Sequence, residues 1–189
     1  MLSLGCGAVG EQSTWVKAQG GLVSDSYQRR AEAASALLGR PVEGRPQVYA
    51  LNSRLVGAYS WPDGNIFVTR GLVDLLNDQE LAAAIAHEMG HLLNDGHLHA
   101  VASLRGCCVS PDTEARADAT GMELLRSRGI SANAMVTMLQ KVRASLPAPS
   151  SCQHAITARI ELLSSPADVN SPDQNRTRAA SSINRSAGN

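Results

Sequence analysis

The stretch QELAAAIAHEMGH, residues 79–91, decides the fold of this chain of 189 residues. Residues four positions apart lie on one face of a helix, so His87 and His91 can reach the same metal ion. Glu88 lies between them, where a carboxylate can take a proton from a metal-bound water. The apolar residues of this helix form a stripe roughly opposite the two histidines; they are Leu81, Ile85, Met89 and Leu92. The stripe predicts a helix anchored in the core, with its histidine face turned toward a cleft.

A catalytic zinc ion needs a third protein ligand and an open fourth position. One candidate is Glu114, because Asp118 follows it by one turn of a predicted helix and both carboxylates then face the same way. Such a pair suits one carboxylate as ligand and the other as acceptor for a histidine ring N–H. The alternative is His97, which with the first two histidines nearly completes the metzincin pattern, with Asn94 in place of its glycine. We favour Glu114, since the metzincin pattern also implies a downstream Met-turn, for which Met122 is a poor candidate because it falls within a predicted helix.

Composition and charge place the chain among ordinary globular proteins. Apolar residues make up 43% and charged residues 18%. The formal net charge is zero, which argues against a nucleic-acid interface and against a polybasic membrane-binding patch. No stretch approaches the roughly 20 apolar residues that span a bilayer. We therefore expect one domain, with no transmembrane span and no nucleic acid as partner.

The four cysteines, at positions 6, 107, 108 and 152, form no Cys-x-x-Cys pair, which argues against a cysteine-type structural zinc site. Cys152 can pair with Cys107 or Cys108 in an oxidising compartment, and buried free thiols are the alternative. The apolar residues 1–10 lack the positive region of a complete signal peptide. We interpret them as the remnant of a signal or lipoprotein segment, with a lipid anchor at Cys6; a frayed terminus is the alternative. Together these features favour the bacterial cell envelope or periplasm.

The first part of the chain predicts one long helix followed by a small sheet. Apolar residues at helix-compatible spacing run over 11–38, and Gly39 ends this helix. Three strands are expected at 47–51, 55–60 and 66–69. The residues between the last two strands, WPDGN, are typical of a hairpin turn.

Further helices are expected after the sheet. One begins near Gly71, and Asp78 is the expected N-cap of the helix that carries the two histidines. Ser110 followed by Pro111 predicts the N-cap and first residue of another helix, which Gly129 ends.

The last elements are shorter. Ser131 is the expected cap of one helix, and a final helix is predicted over 154–163. The residues 164–189 are rich in Ser, Asn, Pro and Arg, a composition typical of a disordered tail. The predicted domain is therefore 11–163.

Four segments occur together in a recognisable order. They are VGAYSWPDGNIFVTRGL at 56–72, QELAAAIA at 79–86 directly before the His-Glu-x-x-His motif, EARAD at 114–118, and HAITARI at 154–160. Together they resemble peptidase family M48 (the Ste24/HtpX/BepA-like zinc metallopeptidases). In that family the third segment looks like the third-ligand motif, and the fourth is similar to a His-Pro-x-x-x-Arg-Ile motif with Ala155 in place of proline. The resemblance covers about residues 25–163.

The resemblance implies a mostly helical α+β fold, a zincin domain of the gluzincin type, with a small sheet whose edge strand borders the active-site cleft. It implies that His87, His91 and Glu114 hold one zinc ion per chain. Glu88 would then act as general base and later as acid. The transmembrane helices of the integral-membrane members are absent, so the resemblance is to a soluble, minimal member.

The same resemblance implies further residues around the metal. Asp118 would accept a hydrogen bond from a ligating histidine. His154 would approach the metal as a catalytic residue, where it either steadies the transition-state oxyanion or occupies the open position in a resting form. Arg159 would be structural or would support His154.

The expected reaction is zinc-dependent hydrolysis of internal peptide bonds in unfolded or extended polypeptides. Gly57, Ala58 and Tyr59, in the edge strand, would hold such a substrate by main-chain hydrogen bonds. One alternative is a metzincin-like peptidase that uses His97. Another is a non-catalytic zinc protein that binds peptides in proteostasis, and the intact Glu88 argues against it.

Overall fold

The computed structural model describes residues 5–39, 46–94, 102–103, 110–148 and 150–165. In this part of the chain the elements are α1 (Gly5–Ala18), α2 (Ser26–Leu37), β1 (Val48–Leu51), β2 (Ala58–Ser60), β3 (Ile66–Thr69), α3 (Arg70–Leu75), α4 (Asp78–Asn94), β4 (Ala102–Ser103), α5 (Pro111–Ser127), α6 (Asn133–Ser145) and α7 (Ser151–Ser164). The expected α+β fold, mostly helical with a small sheet, is confirmed. The predictions that concern His97, Cys107, Cys108 and the tail beyond Ser165 lie outside the described residues.

A turn divides the helix predicted over 11–38 into α1 and α2. Gly20 and Gly21 have φ angles of +92° and +79°, a left-handed conformation that L side chains rarely adopt. At Gly20 a Cβ atom would lie 2.7 Å from the carbonyl oxygen of Asn52, so the position has no room for a side chain. The chain enters α2 at Asp25, whose carboxylate accepts a hydrogen bond from the amide two residues further on. The single-helix prediction is therefore wrong, because the intervening residues pair with β1.

The strands form one mixed sheet in the order β1-β3-β2-β4. β1 runs parallel to β3, and β2 runs antiparallel to both β3 and β4. The strand predicted over 55–60 is shorter than expected, spanning Ala58–Ser60. It is also not at the edge of the described sheet, since Ala102–Ser103 pairs with its outer side opposite Tyr59 and Ser60. β2 is therefore an inner strand of the described sheet.

The two faces of the sheet pack against different helices. One face packs in a cluster that contains five of the six aromatic side chains, which are Trp15, Tyr49, Tyr59, Trp61 and Phe67. Trp15 belongs to α1, and its ring centroid lies 5.1 Å from that of Tyr59 and 5.5 Å from that of Phe67. The small and branched residues of the opposite face join the main core, against α4. The alternation of side chains along each strand separates these two clusters.

α4 runs through the centre of the molecule and is buried almost from end to end. It packs most extensively against α5, and also against α2, α6 and the sheet. Its cap is one residue earlier than predicted: the Asn77 side chain accepts from the Glu80 amide at 2.9 Å, and the Glu80 carboxylate accepts from the Asn77 amide at 2.8 Å. This reciprocal pair is a capping box. Asp78, the predicted cap, instead pairs with Arg30.

The start of α5 agrees with the prediction. Ser110 is its N-cap, Pro111 is its first residue, and Gly129 follows its end with a φ of +70°. Ser131 accepts from a backbone amide, but α6 begins only two residues later, at Asn133. α7 begins at Ser151, three residues before the prediction, because Ser150 caps it. None of the described helices is both long and apolar enough to cross a membrane.

Candidate metal centre

Two glycines allow α4 and α5 to cross closely. A Cβ atom on Gly90 would lie 2.4 Å from the carbonyl oxygen of Ala117, and one on Gly121 would lie 3.1 Å from the backbone nitrogen of His87. Any side chain at Gly90 would therefore force the two helices apart. The close crossing brings Glu114, one turn into α5, opposite the histidine pair of α4.

Three buried side chains converge at this crossing. The Nε2 atoms of His87 and His91 are 3.2 Å apart. One carboxylate oxygen of Glu114 lies 3.4 Å from the first of these nitrogens, and the other oxygen lies 3.5 Å from the second. Zinc–nitrogen bonds of about 2.0–2.1 Å in a tetrahedral site place neighbouring donors about 3.3–3.4 Å apart. The three side chains thus fit a zinc ion, and their donor set could hold one.

Asp118 and Arg159 surround the donor atoms. The Nδ1 atom of His87 is 2.9 Å from one oxygen of Asp118, and because that carboxylate is ionised the imidazole must donate. The Nε2 lone pair of His87 is then directed at the metal position. Arg159 donates to both oxygens of Asp118, at 2.8 and 2.6 Å, and its third nitrogen lies 2.8 Å from Glu114. The resemblance implied that Arg159 is structural or supports His154; in the structure its guanidinium contacts the carboxylates of α5.

These contacts shift the protonation of the metal-free chain. Burial and the charge of Arg159 would lower the pKa of His87, but the Asp118 and Glu114 carboxylates outweigh them and raise it to about 9. Burial also opposes ionisation of the two carboxyl groups, yet the histidines and Arg159 hold the pKa of Glu114 and of Asp118 below its usual range. A metal ion would therefore displace a proton from His87 as it binds.

Glu88 is buried beside the ligands, and neither of its carboxylate oxygens has a hydrogen-bond partner among the described residues. Burial raises the pKa of Glu88, although the charges of His87 and His91 oppose the shift. The Ser60 hydroxyl of β2 lies near Glu88 and also lowers its pKa, although the contact does not have the geometry of an ordinary hydrogen bond. Ser60 is not among the site residues predicted from the sequence, but the alternation of β2 indicates it, since Ser60 and Ala58 face the same buried side.

The structure does not bring His154 to this centre. Its side chain is exposed on α7 and makes no side-chain hydrogen bond to the described residues. Ile156 and Arg159 form the buried face of that helix instead. Five positions along a helix correspond to a rotation of about 140°, so His154 and Arg159 cannot both face inward.

The strand residues expected to bind substrate are also engaged within the chain. The backbone N–H of Gly57 donates to the Thr69 hydroxyl at 3.1 Å, and the Gly57 carbonyl accepts from the Thr69 amide at 3.0 Å. Ala58 is buried and pairs with Val68 of β3. Tyr59 pairs with β3 on one side and with β4 on the other, and its ring packs in the aromatic cluster.

A mostly helical α+β fold, with a histidine pair on a buried helix and a carboxylate on the next, defines a zincin-like domain. Residues 23–108 match the family model described as Peptidase family M48. These residues make up a little under half of the chain, and the match supports its resemblance to peptidase family M48. The matched residues include both histidines and end before Glu114, so the third donor and Arg159 lie beyond them.

Two curated proteins of Escherichia coli strain K12 are similar to the chain. Metalloprotease LoiP is 28% identical over 152 residues, a match that covers 63% of this chain and 60% of LoiP. Metalloprotease YcaL is 26% identical over 148 residues, which covers 60% of this chain and 58% of YcaL. The chain thus spans about three fifths of the length of these relatives.

Proposed function

We propose that the chain is a zinc-dependent endopeptidase in which His87, His91 and Glu114 hold one zinc ion. The observation that carries this proposal is the convergence of three buried side chains, with two imidazole nitrogens 3.2 Å apart and one oxygen of Glu114 within 3.4–3.5 Å of each, beside the unpartnered carboxylate of Glu88. A buried carboxylate without a hydrogen-bond partner costs free energy unless a bound group satisfies it. A water molecule or substrate amide at the metal would supply that partner.

The proposed mechanism gives each side chain a separate task. A bound zinc ion would supply Lewis-acid chemistry, which acidifies water and polarises the scissile carbonyl. Glu88 accepts the proton of the attacking water and returns it to the leaving amine, and its raised pKa brings it nearer to the pH at which both transfers are efficient. Asp118 holds His87 in the tautomer that leaves Nε2 available.

The substrate we propose is an unfolded or extended polypeptide that binds along β2. Ala102–Ser103 already pairs there in antiparallel fashion, which supports the ability of this side of β2 to take an extended chain. A substrate segment would replace that two-residue strand. Because the backbone of Gly57 is occupied by Thr69, the contacts would come from Tyr59 and Ser60 rather than from Gly57.

An oxidising compartment, such as the bacterial cell envelope or periplasm, is part of the proposal. Cys152 is disulfide-bonded, and its partner lies outside the described side chains. Structural disulfides persist in secreted and periplasmic proteins and are rare in the reducing cytosol. Cys6 lies in α1, and the lipid anchor expected there remains a proposal.

The proposal is tested by zinc stoichiometry and by cleavage of casein, an unfolded protein. Glu114→Ala should lose zinc and His97→Ala should keep it; the opposite result would establish the metzincin alternative. Glu88→Gln should keep zinc and lower kcat by about 10²–10⁴-fold. The matched control is Glu123→Gln, an exposed position on α5, which should leave both quantities unchanged. Chelator-resistant cleavage, or full activity of Glu88→Gln, would refute the mechanism.

A further inference from the structure

Arg159 is a buried cation among buried carboxylates. Its guanidinium makes two hydrogen bonds to Asp118 and lies 2.8 Å from Glu114, and its side chain is only 7% exposed. Asp118 and Glu114 are themselves almost fully buried. Both carboxylates belong to α5, whereas Arg159 belongs to α7, so the contact joins two helices that otherwise touch little.

Arg159 is one of the few positive charges available to the buried carboxylates of the centre. Glu114 and Asp118 contribute two negative charges, and Glu88 contributes a third when it is ionised. In the metal-free chain these charges are compensated by Arg159 and protonated His87, whereas a zinc ion would displace the His87 proton and bring two positive charges. Like charges in a dry interior repel strongly. Because fewer positive charges are present without the metal, Arg159 then supplies a larger share of the charge that offsets the repulsion between the carboxylates.

We propose that Arg159 is a positioning residue for the metal-free centre. Before zinc binds, its positive charge holds Glu114 and Asp118 in place, a role that the charge of the metal takes over after binding. This inference rests on the proposed zinc site. In the filled centre Arg159 and the metal are two cations at close range, and their repulsion weakens zinc binding. Arg159 therefore stabilises the metal-free fold more than the metal-bound fold.

Three roles of Arg159 predict different results. If Arg159 compensates charge as proposed, its neutral replacement destabilises the metal-free protein more than the loaded protein and, by linkage, tightens zinc binding. If Arg159 only orients ligands for the metal, its replacement weakens zinc binding, as the loss of other groups around metal ligands does. If Arg159 is a structural link between α5 and α7, its replacement destabilises both forms equally.

The experiment measures the melting temperature with zinc and after its removal, and the zinc affinity by competition with a chelator. Arg159→Met removes the charge with similar side-chain length, and Arg159→Lys keeps the charge. We expect the loss of Tm on zinc removal to be about 5 °C larger or more in Arg159→Met than in the wild type. We also expect its zinc affinity to rise by about threefold or more. Arg159→Lys should restore most of the wild-type behaviour.

Arg143→Met is the matched control, since Arg143 links α6 to Thr157 of α7 and makes no contact with the metal centre. It should lower Tm equally with and without zinc. Weaker zinc binding by Arg159→Met, or an equal Tm loss in both forms, would overturn the inference. If Arg159→Met fails to fold even with zinc, the comparison of Arg159→Lys with Arg159→Gln decides in the same way. A wild type whose Tm does not respond to zinc would refute the zinc site itself, which separates that failure from this one.

Discussion

Replacing Gly90 with alanine would push apart the two helices that carry the metal ligands. The added Cβ atom would lie 2.4 Å from the carbonyl oxygen of Ala117, 2.9 Å from its Cα atom and 3.0 Å from its carbonyl carbon. These are backbone atoms, so no side chain can rotate away. Restoring an ordinary carbon–oxygen contact requires a separation of about 1 Å between α4 and α5.

The expected loss of stability follows from two opposing effects. Overpacking of this kind lowers the free energy of unfolding by about 1–3 kcal/mol, and replacing a glycine within a helix raises it by up to about 1 kcal/mol. The net loss of about 1–2 kcal/mol corresponds to a Tm lower by about 2–8 °C for a domain of this size.

Zinc binding should suffer more than stability. Glu114 lies 3.4 and 3.5 Å from the two imidazole nitrogens, and metal–ligand distances must hold to about 0.2 Å. A displacement of about 1 Å should therefore lower the zinc affinity by at least about tenfold. The assay is chelator competition, with Tm from calorimetry.

Gly121→Ala provides a graded comparison at the same crossing. Its Cβ atom would lie 2.8 Å from the terminal methyl group of Met135, which can move, and 3.1 Å from backbone atoms of α4. We expect a smaller loss of zinc affinity than for Gly90→Ala. If Gly90→Ala keeps the wild-type Tm and affinity, or if the order of the two variants is reversed, the crossing does not control the site.

Two further predictions concern stability away from the metal. Burial alone would raise the pKa of Glu80, but Lys141 at 2.7 Å and the Asn77 amide outweigh burial and lower the pKa. The contribution of Glu80 to the stability of the fold is therefore complete above the unfolded pKa of about 4.3, and it is lost as the pH falls through the lower pKa of the folded state. Glu80→Gln should therefore lower the free energy of unfolding by about 1 kcal/mol at pH 7, and in urea titrations this difference should shrink as the pH falls below about 4.3. A difference that grows on acidification would contradict this. Arg30→Met should lower the free energy of unfolding by about 1–3 kcal/mol, because Arg30 donates to two backbone carbonyls near the end of α3 and pairs with Asp78. The zinc stoichiometry should not change. Urea unfolding of this variant with a zinc assay tests both statements, and loss of the metal would contradict the second.

Local sequence signals were sufficient for the helices at the centre of the site. Ser110 and Pro111 marked the start of α5 because capping depends on neighbouring residues alone. The same apolar spacing failed over 11–38, where the left-handed turn at Gly20 is set by Asn52 of a distant segment. The spacing of apolar residues indicates which face a helix would bury, but it does not indicate where pairing with a strand interrupts the helix.

Contacts between distant segments account for the other differences. β4 has only two residues, too few to show alternation, and it is defined by its pairing with β2. On α7, HAITARI contains both His154 and Arg159, and sequence alone does not say which of them faces inward. The carboxylates of Asp118 and Glu114 decide this, because a buried carboxylate pair stabilises a cation that would otherwise remain in water.

The metal centre is assembled from parts of the chain that leave the ribosome at different times. Arg159 follows His87 by 72 residues, yet the two side chains lie 3.2 Å apart in the folded chain. At about 5–20 residues per second, Arg159 is synthesised roughly 4–14 s after the first histidine. During that interval α4 carries both imidazoles without the cation that compensates the carboxylates of α5. Completion of the centre therefore belongs to the end of folding, when α7 docks, and a nascent chain that captured zinc earlier would do so without Arg159.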